Sequence, residues 1–251
     1  MHRFFVPNAP AAGESFDLPK AEAHHASSVL RVREGEAAAV LDGAGRVLRC
    51  EIECVGRRQV RLRALSESRQ ERRRGELILV QAVVKGKAMD LIVQKATELG
   101  VARIAPVITE RSVARPDSSE FAAKRDKWRG VAIEACKQCG SAWLPEVDEP
   151  AGLQDALELC GAGGRLSLVA ALDDERVEIR EAFAAFHQRE GRAPESTAIW
   201  IGPEGDFTPE EMSAIRDAGV RPVTLGELTL RSETAAICAL AIAGAEMRGG
   251  A

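Results

Sequence analysis

The chain has 251 residues, of which 45% are hydrophobic and 29% are charged, and its formal net charge is −4 at pH 7. This composition predicts one large or two small soluble domains with a real core. Without a run of about 18 apolar residues a membrane span is not expected, and without the apolar stretch of a signal peptide we expect a cytoplasmic protein.

The charge is spread unevenly along the sequence. Residues 1–74 carry 14 Lys and Arg against 10 Asp and Glu, whereas residues 75–251 carry 20 against 28. Eight arginines lie between Arg57 and Arg74. Two interpretations stay open: a solvated strand face followed by a charged linker, or a surface that contacts phosphates.

The first part of the chain reads as a small β domain with one helix. Strands are predicted at residues 2–6, 38–41, 47–55 and 59–65, and apolar and polar residues alternate from Leu48 to Cys54. A short helix is predicted at 21–30; its adjacent His24 and His25 would point about 100° apart, which disfavours a shared metal. The charged stretch from Ser66 to Gly75 predicts a linker.

The six cysteines do not form a disulfide scaffold. Cys50 and Cys54 are predicted on one buried strand face. Cys136 and Cys139 form a CxxC motif, which can bind zinc or carry redox chemistry, but both fall on the apolar face of a predicted helix. We therefore favour core packing for this pair.

From residue 77 onward strands and helices alternate, which predicts an α/β domain with a largely parallel sheet. Its predicted elements are strands at 77–84, 104–108, 166–171, 198–201 and 220–225, and helices at 89–99, around Trp128 up to Gly140, at 153–159, 178–189 and 233–247. The last helix has no polar face, so it is expected to be fully buried, either in the core or across a dimer interface.

Two glycine loops follow predicted strands near the C-terminus. Gly202-Pro203-Glu204-Gly205 comes after one strand, and Gly226 ends the next. Between them Thr208 to Glu211 predicts a capping box that starts a helix. Ligands of open α/β sheets bind beyond the carboxyl ends of strands, so these loops predict a pocket. The loops match neither a Walker motif nor GxGxxG, which disfavours another kind of nucleotide-binding enzyme.

A series of short motifs runs along nearly the whole chain: RFF at 3–5, VLR at 29–31 with Gly35, KG at 85–86 with MD at 89–90, ELGV at 98–101, EACKQC at 134–139 before LP at 144–145, IGPEG at 201–205, LG at 225–226 and LRSETA at 230–235. In this order the motifs resemble the RsmE-type ribosomal RNA methyltransferases of the SPOUT class. Two positions depart from the family pattern. Asp206 replaces the last glycine of GPEGG, and Ser232 replaces the first threonine of LRTETA.

The resemblance implies a fold and a reaction. It implies a PUA-like RNA-binding β-barrel at residues 1–70 and a SPOUT domain at 75–251, whose parallel sheet carries a C-terminal trefoil knot and which forms a homodimer. It also implies S-adenosylmethionine as cofactor, without metal or membrane. The implied reaction methylates N3 of a uridine in 16S ribosomal RNA, either naked or within the small subunit.

The resemblance also assigns roles to residues. Arg231 would stabilise charge on the uracil oxygens, and Glu233 would accept a proton or hold Arg231, although a purely structural pairing of Arg231 with Glu233 or Glu204 is the rival interpretation. The cofactor residues carried over are Ala171, Ile201, Gly202, Pro203, Glu204, Gly205, Leu225, Gly226, Leu228 and Leu230. The predicted RNA contacts are Arg3, Arg31, Arg33, Lys85 and Lys87.

A second hypothesis is a non-enzymatic RNA-binding or ribosome-assembly factor on a SPOUT scaffold. Asp206 is the sequence feature that favours it. Aspartate in place of the family glycine indicates either that this position does not need a positive φ or that aspartate tolerates it. Binding of S-adenosylmethionine distinguishes the two hypotheses.

Overall fold

The computed structural model describes residues 1–56, 59–113, 117–158, 165–172 and 175–249. They form two compact units, Met1–Arg72 with Ile133–Leu144, and Arg73–Ala132 with Pro145–Ala251. Arg57 and Arg58 of the arginine-rich stretch and the end of the helix predicted at 153–159 lie outside the described residues.

The first unit is built on a five-stranded sheet with the order β1-β3-β4-β5-β2. Its strands are β1 (His2–Phe5), β2 (Ser15–Asp17), β3 (Ala37–Leu41), β4 (Arg46–Val55) and β5 (Val60–Arg69). β1 runs parallel to β3 and the other pairs are antiparallel. Leu48, Cys50 and Ile52 alternate with exposed residues along β4 and point into the core. The predicted β domain is confirmed, with β2 added.

Three local features of this unit differ from the sequence prediction. The predicted helix at 21–30 divides into α1 (Lys20–His24) and a π-helix at His25–Leu30. β5 continues to Arg69, so Ser66–Arg69 is strand and not linker; Arg46 Nη2 lies 2.9 Å from a Glu67 carboxylate oxygen across the β4–β5 pair. Cys54 is exposed because the pairing register shifts between Ile52 and Cys54.

Residues Ile133–Leu144 belong to the first unit because their side chains pack there. Phe5 and Leu41 form a small apolar cluster with Ala142, against which Ile133 and Leu144 also pack. Within this segment Cys136 is buried but Cys139 is exposed, so the prediction that both pack in the core is wrong for Cys139.

The second unit is α/β, as predicted. Its strands are β6 (Glu76–Ala82), β7 (Arg103–Ile108), β8 (Glu146–Val147), β9 (Ala151–Gly152), β10 (Arg165–Ala170), β11 (Val177–Glu178), β12 (Ser196–Ile201) and β13 (Arg221–Thr224). All pairings are parallel, in the order β11-β13-β10-β12-β6-β7-β8, with β9 also on β7. The trefoil knot remains a prediction from the resemblance.

The helices are α2 (Gly86–Leu99), α3 (Phe121–Cys139), α4 (Leu153–Leu157), α5 (Ile179–Glu190), α6 (Pro209–Asp217) and α7 (Ser232–Gly249). The predicted capping box of α6 is confirmed: Thr208 Oγ1 accepts from the Glu211 amide at 3.2 Å, and the Thr208 amide donates to Glu211 Oε2 at 2.9 Å. In the described part of the chain, every helix is too short or too polar to cross a bilayer.

The C-terminal helix α7 is only partly buried. It packs against α2, α5, β6 and β12, and buries Ala236, Ala239, Leu240 and Ala243. Ile242 on its outer side is 36% exposed, and Ala241 is exposed beside it. Burial in the core of the single chain is therefore wrong for this side of α7, whereas burial across a dimer interface stays a prediction.

Candidate functional site

A cleft of about 300 Å³ lies at the carboxyl ends of β13, β10 and β12, which are neighbours in the sheet. This volume is at the lower end of the range for small-molecule sites. The lining is mostly apolar, with polar groups at a few points. The lining residues are Ala170, Ala171, Leu172, Ile201, Gly202, Pro203, Glu204, Asp206, Thr224, Leu225, Gly226, Leu228, Thr229, Leu230, Arg231, Ser232 and Ala235.

The loop after β12 is held by hydrogen bonds to its backbone carbonyls. The Ser232 hydroxyl donates to Gly202 O at 2.8 Å, and the Asp206 amide donates to Pro203 O at 3.0 Å. Arg111 Nη1 donates to Gly205 O at 2.9 Å. Because three carbonyls of one short loop are fixed, the wall of the cleft has a defined shape before any ligand binds.

A buried polar network lies directly behind this loop. Gln81 of β6 is fully buried, and its Nε2 donates to the Ser232 hydroxyl and to Ala82 O, both at 3.0 Å. Ser232 is 5% exposed and begins α7. The network therefore connects β6, the loop after β12 and the start of α7. Buried networks of this kind specify one arrangement of the groups they join.

Asp206 adopts a left-handed backbone conformation with φ of 60°. Aspartate is among the few residues that tolerate this region. Its Oδ1 accepts from the Phe207 amide at 2.8 Å, which stabilises the turn locally. Of the two explanations for aspartate at this position, the structure therefore supports the second: the position has a positive φ, and aspartate tolerates it.

The loop after β13 needs glycine at one position. Gly226 has φ of 119°, and a Cβ built on it would meet no other atom within 4 Å, so the space over this residue is open. The Thr224 hydroxyl accepts from the Gly226 amide at 3.2 Å and donates to its carbonyl at 3.1 Å. The loop presents Leu228, which is 79% exposed, at the cleft.

Arg231 and Glu233 occupy different places relative to the cleft. Arg231 lines it with an exposed side chain, and its carbonyl accepts the first α7 hydrogen bond, from the Ala235 amide at 2.8 Å. Within the described residues the guanidinium has no ion pair or hydrogen bond, so the structural pairing with Glu233 or Glu204 does not form. Glu233 lies half-buried in the first turn of α7 and does not line the cleft.

The structure brings together nine of the ten residues predicted for cofactor binding. The exception is Gly205, which faces the Arg111 side chain. Thr224, Thr229 and Asp206 also line the cleft and Gln81 lies behind it, but the sequence predicts no cofactor role for them. Ser232 and Asp206 carry a signal only as departures from the family pattern, whereas the pairing of Gln81 with Ser232 has no local signal.

The residues predicted to contact RNA differ in whether their side chains are bonded to other parts of the described chain. Arg31 and Arg33 are exposed, and their guanidinium groups make no ion pair within the described residues; Arg31 also has a left-handed φ of 52°. Lys85 and Lys87 are exposed at the start of α2. Arg3 is engaged, because its Nη1 donates to Lys137 O at 3.1 Å and Gln138 O at 2.9 Å at the end of α3.

The arginine-rich stretch from 57 to 74 is partly paired within the chain. Arg61 forms an ion pair with Asp17 at 3.0 Å, and this hydrogen bonding lowers the pKa of the Asp17 carboxyl. Arg69 and Arg72 stack on Trp143 at 5.5 and 5.4 Å from the ring centroid. These three arginines therefore have contacts within the chain, and both interpretations of the stretch stay open.

The two thiols of the CxxC motif do not lie in a cluster of metal-ligating side chains within the described residues. Burial raises the pKa of the Cys136 thiol to about 12, which keeps it protonated and unreactive at neutral pH. Nowhere in the described ranges do three or more His, Cys, Asp or Glu side chains gather as metal ligands.

The cleft combines three kinds of chemical group: an apolar wall, backbone polar groups, and the ionisable side chains of Glu204, Asp206 and Arg231. Apolar walls with a few placed polar groups suit a flat heterocycle that carries a polar chain. The unpaired guanidinium at one side can stabilise negative charge on a second molecule held next to the first.

Comparison with known proteins places the chain in a family. A model of the RNA methyltransferase domain matches residues 70–244, and a model of the RNA methyltransferase PUA domain matches residues 18–65. The ribosomal RNA small subunit methyltransferase E of Mycobacterium bovis is 32% identical over 96% of this chain and 90% of its own length.

Two solved structures are similar over almost their whole length. The putative methyltransferase Lpg2936 of Legionella pneumophila, in complex with bound cofactor SAM, is 33% identical with a TM-score of 0.87, covering 97% of this chain and 96% of its own. The ribosomal RNA small subunit methyltransferase E of Neisseria gonorrhoeae, bound to S-adenosyl methionine, is 28% identical with a TM-score of 0.84, covering 96% of both chains. The protein belongs to the ribosomal RNA small subunit methyltransferase E family.

Proposed function

We propose that this protein transfers a methyl group from S-adenosylmethionine to N3 of a uridine in small-subunit ribosomal RNA. The observation that carries the proposal is the cleft at the ends of β13, β10 and β12, with the exposed guanidinium of Arg231, which has no partner among the described residues, on its wall. Two structurally similar relatives were crystallised with S-adenosylmethionine, which supports the choice of cofactor.

The residues of the cleft fit this cofactor. Ile201, Leu225, Leu228 and Leu230 offer apolar side chains for a flat ring, and the open space over Gly226 allows close approach to the backbone. When bound, S-adenosylmethionine supplies an electrophilic methyl group on a sulfonium. The protein's contribution is to hold the acceptor in line with that group, because alignment lowers the entropic part of the barrier.

The acceptor must also be made nucleophilic. The imide N3–H of uracil is protonated at neutral pH, and loss of its proton spreads negative charge onto the flanking carbonyl oxygens. The Arg231 guanidinium would stabilise that charge. Glu233 in the first turn of α7 and Glu204 on the cleft wall are the candidate proton acceptors; of the two, Glu204 lines the cleft.

RNA binding is assigned to the N-terminal domain, residues 1–70, and catalysis to residues 75–251. Arg31 and Arg33 supply free positive charge on the first unit, and Lys85 and Lys87 supply it on the second. Long-range attraction between such groups and RNA phosphates steers binding of an otherwise acidic protein. Arg3 contributes indirectly in this account, because it holds the end of α3.

A homodimer, formed through the second domain in the cytoplasm, completes the proposal. The uncovered apolar face of α7 around Ala241 and Ile242 supports it, since exposed apolar helix faces mark association surfaces. No metal takes part in the proposed reaction. The rival hypothesis of a non-catalytic assembly factor rests on Asp206, which tolerates its positive φ and accepts a hydrogen bond from the Phe207 amide.

The experiment compares ribosomal RNA from cells with and without the gene. Small-subunit RNA is digested and its nucleosides are measured by mass spectrometry, with complementation by the wild-type gene and by Arg231→Ala. We expect 3-methyluridine to disappear in the deletion, to return with the wild-type gene and to stay low with the variant. An unchanged 3-methyluridine content in the deletion would refute the proposed reaction.

A further inference from the structure

Asp206 lies on the boundary between the cleft and a second, smaller cleft. The second cleft, of about 180 Å³, is lined by Arg111, Ala171, Leu172, Asp206 and residues 207–209 and 212. Ala171, Leu172 and Asp206 line both clefts. A methyl donor in the first cleft and an acceptor in the second would therefore meet beside the Asp206 carboxylate.

The turn itself does not require a carboxylate at this position. Glycine adopts a φ of 60° at no steric cost, whereas aspartate adopts it less readily. The Asp206 side chain recovers part of this cost through its hydrogen bond from the Phe207 amide at 2.8 Å. What aspartate adds beyond the conformation is a negative charge on the cleft wall.

Within the described residues, no cationic side chain forms an ion pair with Asp206. Arg111 also lines the second cleft, but its Nη1 donates to the carbonyls of Gly205 and Phe207, and no ion pair joins it to Asp206 in the described part of the chain. Arg231 lines the first cleft without an ion pair to Asp206. Asp206 is half-buried, whereas the other carboxylate of the cleft, that of Glu204, is exposed. Asp206 therefore projects the less screened field into the cleft.

We propose that the Asp206 carboxylate makes the cleft selective for the cationic methyl donor over its neutral product. This inference rests on the proposed function. S-adenosylmethionine carries a positive sulfonium, and methyl transfer leaves S-adenosylhomocysteine, whose sulfur is a neutral thioether. A carboxylate near that sulfur attracts the first molecule and not the second, which favours product release after each turnover.

The test measures the affinities of both ligands by calorimetry on wild-type protein, Asp206→Asn, Asp206→Gly and Glu210→Gln. Asn keeps the side-chain shape, the tolerance of positive φ and an acceptor for the Phe207 amide. Gly is the residue that the family usually has at this position. Glu210→Gln is the matched control, because Glu210 is an exposed carboxylate in the first turn of α6 that does not line either cleft.

We expect both Asp206 variants to lower the ratio of product Kd to donor Kd by about tenfold, which corresponds to about 1.4 kcal/mol. An analogue with an amine in place of the sulfonium should bind the Asp206 variants more weakly, in parallel with the donor. Added salt should reduce the ratio of product Kd to donor Kd in the wild-type protein. Glu210→Gln should leave the ratio unchanged.

The outcomes separate this inference from the proposed function. If the donor binds wild-type protein and the ratio is the same in Asp206→Asn, the inference is wrong and the methyltransferase assignment stands. Equal weakening of donor and product would also overturn it, since Asp206 would then only shape the loop. If neither ligand binds wild-type protein, the proposed function fails together with the inference.

Discussion

Removal of the Ser232 hydroxyl tests whether the buried network behind the cleft holds the cofactor loop. In Ser232→Ala, Gly202 O loses its hydroxyl donor at 2.8 Å, and Gln81 Nε2 loses one of its two acceptors while keeping Ala82 O at 3.0 Å. A buried polar group left without its partner costs about 1–3 kcal/mol. The substitution should therefore lower the free energy of unfolding by that amount.

The cost should appear in two assays. For a domain of this size each kcal/mol lowers Tm by about 2–4 °C. Because the Gly202 carbonyl is then no longer fixed, the loop must be ordered by the ligand, and the Kd for S-adenosylmethionine should rise by roughly tenfold. Thermal unfolding and calorimetry measure the two effects on the same samples.

Two variants serve as controls. Ser232→Thr retains the hydroxyl and should behave like wild type. Ser167→Ala makes the same chemical change at another buried serine, one whose Oγ has no hydrogen-bond partner among the described residues, so its loss should cost little or nothing. If Ser232→Ala unfolds and binds cofactor no differently from Ser167→Ala, the network does not support the loop and this reasoning is refuted.

Three further predictions concern the exposed arginines and the two cysteines of the CxxC motif. Arg231→Ala should reduce single-turnover methylation by about 100- to 1000-fold with folding and cofactor affinity retained, and Arg231→Lys should recover part of the rate because an ammonium lacks the planar fork. Double replacement of Arg31 and Arg33 by alanine should weaken RNA binding and reduce the slope of log K against log salt by about 1–2. At pH 8 a thiol reagent should label exposed Cys139 in the native protein, whereas buried Cys136, with its pKa raised to about 12, should react only after unfolding.

Each of these has an outcome that counts against it. Near wild-type turnover of Arg231→Ala would remove its catalytic role. An unchanged salt slope in the double variant would assign both arginines to ordinary surface; replacement of Arg180 and Arg189, which pair with Glu246 and Glu190, is the matched control. Equal native labelling of the two thiols, located by peptide mass spectrometry, would contradict the burial that the structure shows.

The order of strands and helices could be predicted because it depends on local patterns. The capping box of Thr208 and the buried run at β12 are encoded within a few residues, and the structure confirms both. Long-range features could not be predicted in this way. The Gln81–Ser232 hydrogen bond joins residues 151 positions apart, and no periodicity in the sequence records it.

The sequence predictions that the structure contradicts have a common physical origin, because each depends on what packs against the element concerned. The stretch Ser66–Arg69 reads as a linker by composition, yet it pairs with β4 as a polar strand. The middle of α7 is apolar on every side, yet Ala241 and Ile242 on one side of it are exposed. The sequence likewise indicates that two glycine loops form the cleft. Which residues of the first loop line the cleft depends on how that loop turns, and for this reason Asp206 lines it and Gly205 does not.

Methyl transfer to defined RNA by the purified protein tests the central claim most directly. Small ribosomal subunits from the deletion strain are incubated with the enzyme and S-adenosylmethionine carrying an isotopically labelled methyl group, and the digested RNA is analysed by mass spectrometry. The account predicts label in one oligonucleotide, as 3-methyluridine, with wild-type protein and a strongly reduced amount with Arg231→Ala. Absence of label from uridine N3, or label on a ribose or another base, would contradict it.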